Sequence, residues 1–208
     1  MTVAPRLDES LAADMTWWTS SNESFDAAIV AASKVRTGDL PIDARELRNA
    51  LGRFATGVCV VTTRSASGQT AGLTVNSFSS VSLDPPLVAW CLGRNAPSMR
   101  TFSSAEHFAV HVMAADQQAT TMHFAKSAED KFAAVADQIE AGIGEVPVLK
   151  KCLARFECRK ASMVDGGDHV LFIGRVERFA YSDEPPLLFH AGRFLEREGA
   201  AVRADGSH

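Results

Sequence analysis

Short β-type runs separated by polar turns dominate the chain from Gly57 onward. Residues 57–64 (GVCVVTTR) are β-branched-rich and too short for a helix, so they read as a strand. The polar turn 65–69 leads into another strand from Thr70, and β-like runs follow at 75–83, 87–92 and 108–113. Residues 152–164 and 169–181 read as two long strands joined by Asp165-Gly166-Gly167-Asp168. The two glycines there suit a tight turn with positive φ. Residues 187–190 supply a last strand.

Helical spacing is rarer. Leu47, Leu51 and Phe54 recur at helical intervals, with Asp43 as the cap and Gly57 closing the element. Pro97 can open a short helix capped by Asn95 or Ala96, and 116–125 can form another. Strands joined mainly by hairpin-like turns predict a mainly β fold, an antiparallel β-barrel with a few short flanking helices. No G-x-G-x-x-G follows the first strand, which argues against a Rossmann fold; Gly142-Ile143-Gly144 is too short and badly placed.

The first 40 residues differ in character. Ser20-Ser21-Asn22-Glu23 has the form of a capping box, and the alanine-rich stretch 25–35 predicts an amphipathic helix, preceded by Trp17 and Trp18. Thr37-Gly38 and Pro41 break the chain. The expected organisation is an N-terminal extension over 1–40, partly helical, a barrel domain over 41–196, and a disordered tail over 197–208.

Composition narrows the function classes. The 208 residues are 46% hydrophobic and 22% charged, enough for a real core. A net charge of −4 argues against a nucleic-acid partner. No apolar run approaches the ~20 residues of a membrane span, and the N-terminus lacks the pattern of a secretory signal, so a cytoplasmic protein is expected. Cys59, Cys91, Cys152 and Cys158 are scattered without C-x-x-C spacing, which fits that compartment. His107 and His111 have the i, i+4 spacing of a helical metal site, but lie in a run that alternates like a strand. No metal is expected.

Two stretches are more polar than a core requires. Residues 70–84 (TAGLTVNSFSSVSLD) place Thr74, Asn76, Ser77, Ser79, Ser80 and Ser82 along one strand region. That row reads either as an exposed face or as hydroxyl, amide and N–H groups lining a ligand site. Arg94-Asn95-Ala96-Pro97-Ser98-Met99-Arg100 lies where a helix should begin, and a helix N-terminus with two guanidinium groups suits a phosphate. Together they suggest a phosphorylated, planar ligand along a barrel wall.

The chain resembles the small flavin reductases, the reductase components of two-component flavin monooxygenases built on an FMN-binding split barrel. The motifs that carry the resemblance are LRNALGRFATGVCVVTT (47–63), GLTVNSFSSVSLDPPLV (72–88), FAVHVM (108–113), GDHVLFIGRVE (167–177) and PLLFHAGRF (186–194). It implies an NAD(P)H-dependent enzyme that passes hydride from the nicotinamide to FMN or FAD, with NADH favoured because no arginine cluster marks a 2′-phosphate site. It implies isoalloxazine and ribityl contacts at Thr74, Val75, Asn76, Ser77, Phe78 and Ser80. Phosphate contacts fall at Asn95, Ala96, Ser98 and Arg100, in a loop one residue longer than the family's. His169 matches the histidine on the nicotinamide side, and Phe194 an aromatic near the flavin pocket. A homodimer and a separate monooxygenase receiving reduced flavin are the implied partners. The N-terminal extension departs from the family pattern. The competing expectations are a pyridoxine-phosphate oxidase-like FMN enzyme on the same barrel, or a non-catalytic flavin or haem carrier.

Overall fold

A computed structural model of the chain describes residues 36, 38, 39, 41–128 and 130–195. The chain divides into two units, Met1–Leu47 and Arg48–His208. The helix expected over 25–35, its capping box, the Trp17-Trp18 pair and the tail 197–208 lie outside the described residues.

Helix α1 (Ala44–Leu51) begins where Asp43 directs it, the carboxylate accepting the N–H groups of Arg45 and Glu46 at 2.8 and 2.9 Å. It stops at Leu51 rather than running to Gly57. Arg53 and Phe54 close tighter turns onto the carbonyls of Ala50 and Leu51. Gly57 belongs instead to strand β1 (Thr56–Gly57), which pairs with β11 (Leu188–His190). A long-range strand pairing has overridden the local helical spacing.

The remaining strands are β2 (Cys59–Arg64), β3 (Thr70–Val75), β4 (Ser79–Leu83), β5 (Pro86–Gly93), β6 (His107–Val112), β7 (Ile139–Ala141), β8 (Pro147–Leu149), β9 (Ala154–Gly166), β10 (His169–Tyr181) and β12 (Arg193–Phe194). Helix α2 spans Met99–Ser104, and α3 spans Gln118–Ala125 after a 3-10 turn at Ala115–Gln117. The expected run 75–83 is divided: β3 ends at Val75, and Asn76-Ser77-Phe78 carry the chain across to β4. Helix α2 starts at Met99 with Ser98 at its cap, later than expected, because the Ala96 and Met99 N–H groups first close turns onto Gly93 and Ala96.

Seven antiparallel strands form the main sheet in the order β3-β2-β6-β9-β10-β5-β4. Laid flat, such a sheet would be about 29 Å wide, at ~4.8 Å between strands. Its two edge strands are nevertheless joined by residues 76–78 alone, a link that spans at most about 15 Å. The sheet must therefore curl until β3 and β4 approach, leaving an open barrel split between them.

The interior holds Cys59, Val61, Val88, Trp90, Phe102, Phe108, Val110, Cys158 and Phe172 among its buried residues. Trp90 stacks on Phe172 at 4.7 Å and meets Phe102 edge-on at 4.9 Å. A second cluster, with Val58, Val60, Met113, Phe124, Val135, Leu149 and Leu187, covers the opposite face of β2. Strand β2 is thus buried on both faces, which is why the run 58–61 (VCVV) is apolar without alternation.

Gly174 in β10 faces the interior, where a Cβ would collide with the Phe108 ring and the Cys158 Cβ. The β9–β10 hairpin turns on Gly167-Asp168, and Gly167 has φ +72°. Positive φ at the first central residue alone fits a type II′ turn, the type that matches strand twist. Gly166 is the last residue of β9 and does not share the positive φ expected for it.

Candidate active site

An open cleft of about 690 Å3 runs between the start of β3 and the turn before α2. It brings together two of the stretches singled out by polarity: Thr74 from β3, and Ala96 and Ser98 from the turn. Its other wall is the segment after α3, with Lys126, Lys131 and Phe132. The half-buried Phe132 gives the cleft an aromatic side and rests edge-to-face, at 5.5 Å, on the fully buried Phe124.

Some of the expected ligand groups already have protein partners. The Thr74 hydroxyl donates to the Thr121 carbonyl at 2.6 Å, so toward a ligand it offers acceptor lone pairs. The Ser77 hydroxyl lies 3.0 Å from the Cys91 N–H and 3.4 Å from the Cys91 carbonyl, fastening the crossing segment to β5. Val75 and Phe78 pack against the barrel interior, and Phe78 stacks on Phe156 at 5.6 Å. Asn76 and Ser80 are exposed beside the split. Asn95 and Arg100 are also exposed, and neither is part of the cleft lining. With only six residues in α2, the dipole at its start is weak. Phe194 stands apart from the cleft lining. It meets Phe189 edge-on at 5.4 Å and packs on the second cluster, which also contains Phe124.

His169 occupies the first position of β10, exposed and directly opposite Gly93. Its Nδ1 lies 2.7 Å from Asp168 Oδ1. A carboxylate only accepts, so Nδ1 carries the proton and a neutral ring presents Nε2 as an acceptor. The same contact lowers the Asp168 carboxyl below its ordinary value, chiefly through the hydrogen bond from His169.

Lys126 and Lys131 were not singled out from the sequence. The run KSAEDKF (126–132) reads as a solvated loop, and its mixed charges are the signal that was there to find. The Lys131 ammonium donates to the carbonyls of Gly72 at 3.0 Å and Phe124 at 2.8 Å, which pins the loop across β3. Partial burial lowers its pKa. The buried His111 serves the scaffold: its Nδ1 lies 3.0 Å from the Val60 carbonyl, and its Nε2 accepts the Leu149 N–H at 3.1 Å. No group of three or more His, Cys, Asp or Glu side chains is placed to hold a metal among the described residues. No helix among them is long and apolar enough to cross a membrane.

The family model of the flavin reductase like domain matches residues 51–197, which hold this curled antiparallel sheet and its cleft. The chain belongs to that family. It is 45% identical over 154 residues to the FMN reductase (NADH) SmoA of Agrobacterium fabrum, covering 73% of this chain and 85% of that protein. It is 40% identical over 159 residues to the stachydrine N-demethylase reductase subunit Stc3 of Rhizobium meliloti, covering 76% of this chain and 68% of that protein. The fold superposes with a TM-score of 0.73 on the NADH:FAD oxidoreductase SgcE6 of Streptomyces globisporus, solved in complex with NAD and FAD fragments. That match has 35% identity and covers 82% of this chain and 100% of the other.

Proposed function

We infer that the protein is an NADH-dependent flavin reductase that supplies reduced flavin to a separate monooxygenase. The observation that carries the reading is the cleft itself. A volume of about 690 Å3 lies in the range of small-molecule sites, and its lining suits an aromatic head with an anionic tail. The half-buried Phe132 offers an aromatic side, Thr74 and Ser98 the polar contacts, and Lys126 an exposed cation.

When bound, the flavin supplies the two-electron acceptor for the nicotinamide's hydride. The chain's own residues hold and align. Thr74 and the crossing segment 76–78, fixed by Ser77, present polar groups along the split. Ser98, Asn95 and Arg100 meet the phosphate. His169, with Nδ1 committed to Asp168, accepts the carboxamide N–H of NADH through Nε2 and positions the ring without transferring a proton.

The test is spectrophotometric: NADH and NADPH oxidation with FMN, FAD or riboflavin supplied in turn. Turnover with NADH that requires flavin is expected. Tight flavin binding without NADH turnover would instead mark a carrier, and turnover driven by a pyridoxine substrate would mark an oxidase.

The protein is proposed to act as a cytoplasmic homodimer. Leu83, Met163, Val164, Phe179 and Tyr181 are large apolar residues exposed on β4, β9 and β10, as an unfilled subunit contact would be. Light scattering that finds a fully active 22.3 kDa monomer would refute the dimer. Residues 1–40 are proposed to lie outside the catalytic domain, so a truncation lacking them should still reduce flavin.

A further inference from the structure

The β9–β10 turn that carries His169 is held from one side by a single arginine. Arg94 follows Gly93, the last residue of β5, and its Nε donates to the Gly167 carbonyl at 2.7 Å. Its Nη2 lies 2.5 Å from Asp165 Oδ1, and its backbone N–H donates to the Asp168 carbonyl at 2.9 Å. Three bonds from one residue thus grip positions 165, 167 and 168, immediately before His169. The next residues in the chain turn toward the cleft, where Ala96 and Ser98 form part of its lining.

These contacts contribute little to global stability. The Arg94 and Asp165 side chains are 42% and 85% exposed, and solvent-exposed ion pairs are commonly worth under about 1 kcal/mol. What they restrict is local. The II′ turn rests on a glycine and has no core beneath it: a Cβ at Gly167 would meet nothing within 4 Å. A planar fork that bonds a backbone carbonyl and a carboxylate at once fixes its orientation as a flexible ammonium does not.

We propose that Arg94 is a positioning residue for hydride transfer, locking the β9–β10 turn so that His169 is held in register with the cleft segment 96–98. The proposal rests on the reading of His169 as the nicotinamide contact. Its Nε and Nη2 are engaged by Gly167 and Asp165 rather than held out for a phosphate, so in this proposal Arg94 acts through His169 and not on a substrate.

The experiment is an NADH titration at saturating flavin on the wild type, Arg94→Ala, Arg94→Lys, Asp165→Asn, His169→Ala and the double variant Arg94→Ala/His169→Ala. Flavin affinity and thermal midpoint are measured on each. Loss of the pin is expected to raise KM for NADH about threefold to tenfold, the effect of one or two ordinary hydrogen bonds. Arg94→Lys and Asp165→Asn should fall between wild type and Arg94→Ala. Flavin affinity and thermal midpoint should stay near wild type. In the His169→Ala background, removing Arg94 should add nothing, because the two act as one unit.

An Arg94 effect that persists in full without His169 would mean a direct contact with NADH and would overturn the proposal. So would a change confined to flavin affinity, or no change when His169→Ala does raise KM. If His169→Ala itself leaves NADH kinetics unchanged, the nicotinamide reading of the site fails first and the proposal with it.

Discussion

Replacing His111 by glutamine should make the protein less sensitive to acid. In the native fold His111 is fully buried, with its Nδ1 proton directed at the Val60 carbonyl and its Nε2 lone pair on the Leu149 N–H. Protonation would turn that acceptor into a second donor facing an N–H, and would bury a charge within the field of Arg155. Burial is the largest cause of the pKa falling from 6.5 to about 4; the Val60 hydrogen bond opposes the fall and Arg155 adds to it.

The unfolded chain therefore binds this proton near pH 6.5 and the folded chain only near pH 4. Stability from the neutral ring is fully present above the unfolded value and is lost as pH falls through that window. At ~1.4 kcal/mol for each pH unit, the whole window corresponds to about 3 kcal/mol, of which about 2 should disappear between about pH 7 and pH 5.

Glutamine offers an N–H and a carbonyl oxygen but does not titrate. His111→Gln should cost about 1–2 kcal/mol at neutral pH, from imperfect geometry in a buried site. Urea unfolding of both proteins at steps from about pH 8 to about pH 5 gives the difference, in which the common carboxylate titrations cancel. The wild-type advantage should shrink toward acid and vanish or reverse near pH 5. A difference that stays constant over that range would refute the reasoning.

Other outcomes follow from separate parts of the structure. His169→Ala should raise KM for NADH about threefold to tenfold with flavin affinity unchanged, read from steady-state kinetics beside a flavin titration. Gly174→Ala should lower stability by about 1–3 kcal/mol through overpacking against Phe108 and Cys158; an unchanged denaturant midpoint would count against that packing. The Cys59 and Cys158 thiols, pushed up to about 12 chiefly by burial, should resist a disulfide reagent at neutral pH until the protein is unfolded. Rapid labelling of either in the native protein, mapped by mass spectrometry, would contradict their burial.

How much of this was legible in the residues depends on the range of the interactions involved. The β9–β10 hairpin could be read because a glycine turn between two β-rich runs is a local steric fact, although only Gly167 has the positive φ, and Asp43 could be read as a cap because it reaches only to Arg45 and Glu46. The family motifs, quoted from the sequence, were enough to indicate an open β-barrel with a flavin chemistry. The extent of α1 could not be read, because β11 pairs with the residues that follow it. The loop 126–132 has no periodicity, and becomes a wall of the cleft only when Lys131 reaches the carbonyl of Gly72, 59 positions away. Arg94 and Gly167 are 73 positions apart, and nothing local in either marks the contact. Sequence alone determined the elements whose geometry is set within a few residues by dihedral preference and side-chain period. The curl of the sheet, the meeting of the cleft walls and the grip on His169 were decided by the tertiary structure, because strand register and core packing act between residues whose separation along the chain carries no trace of their proximity.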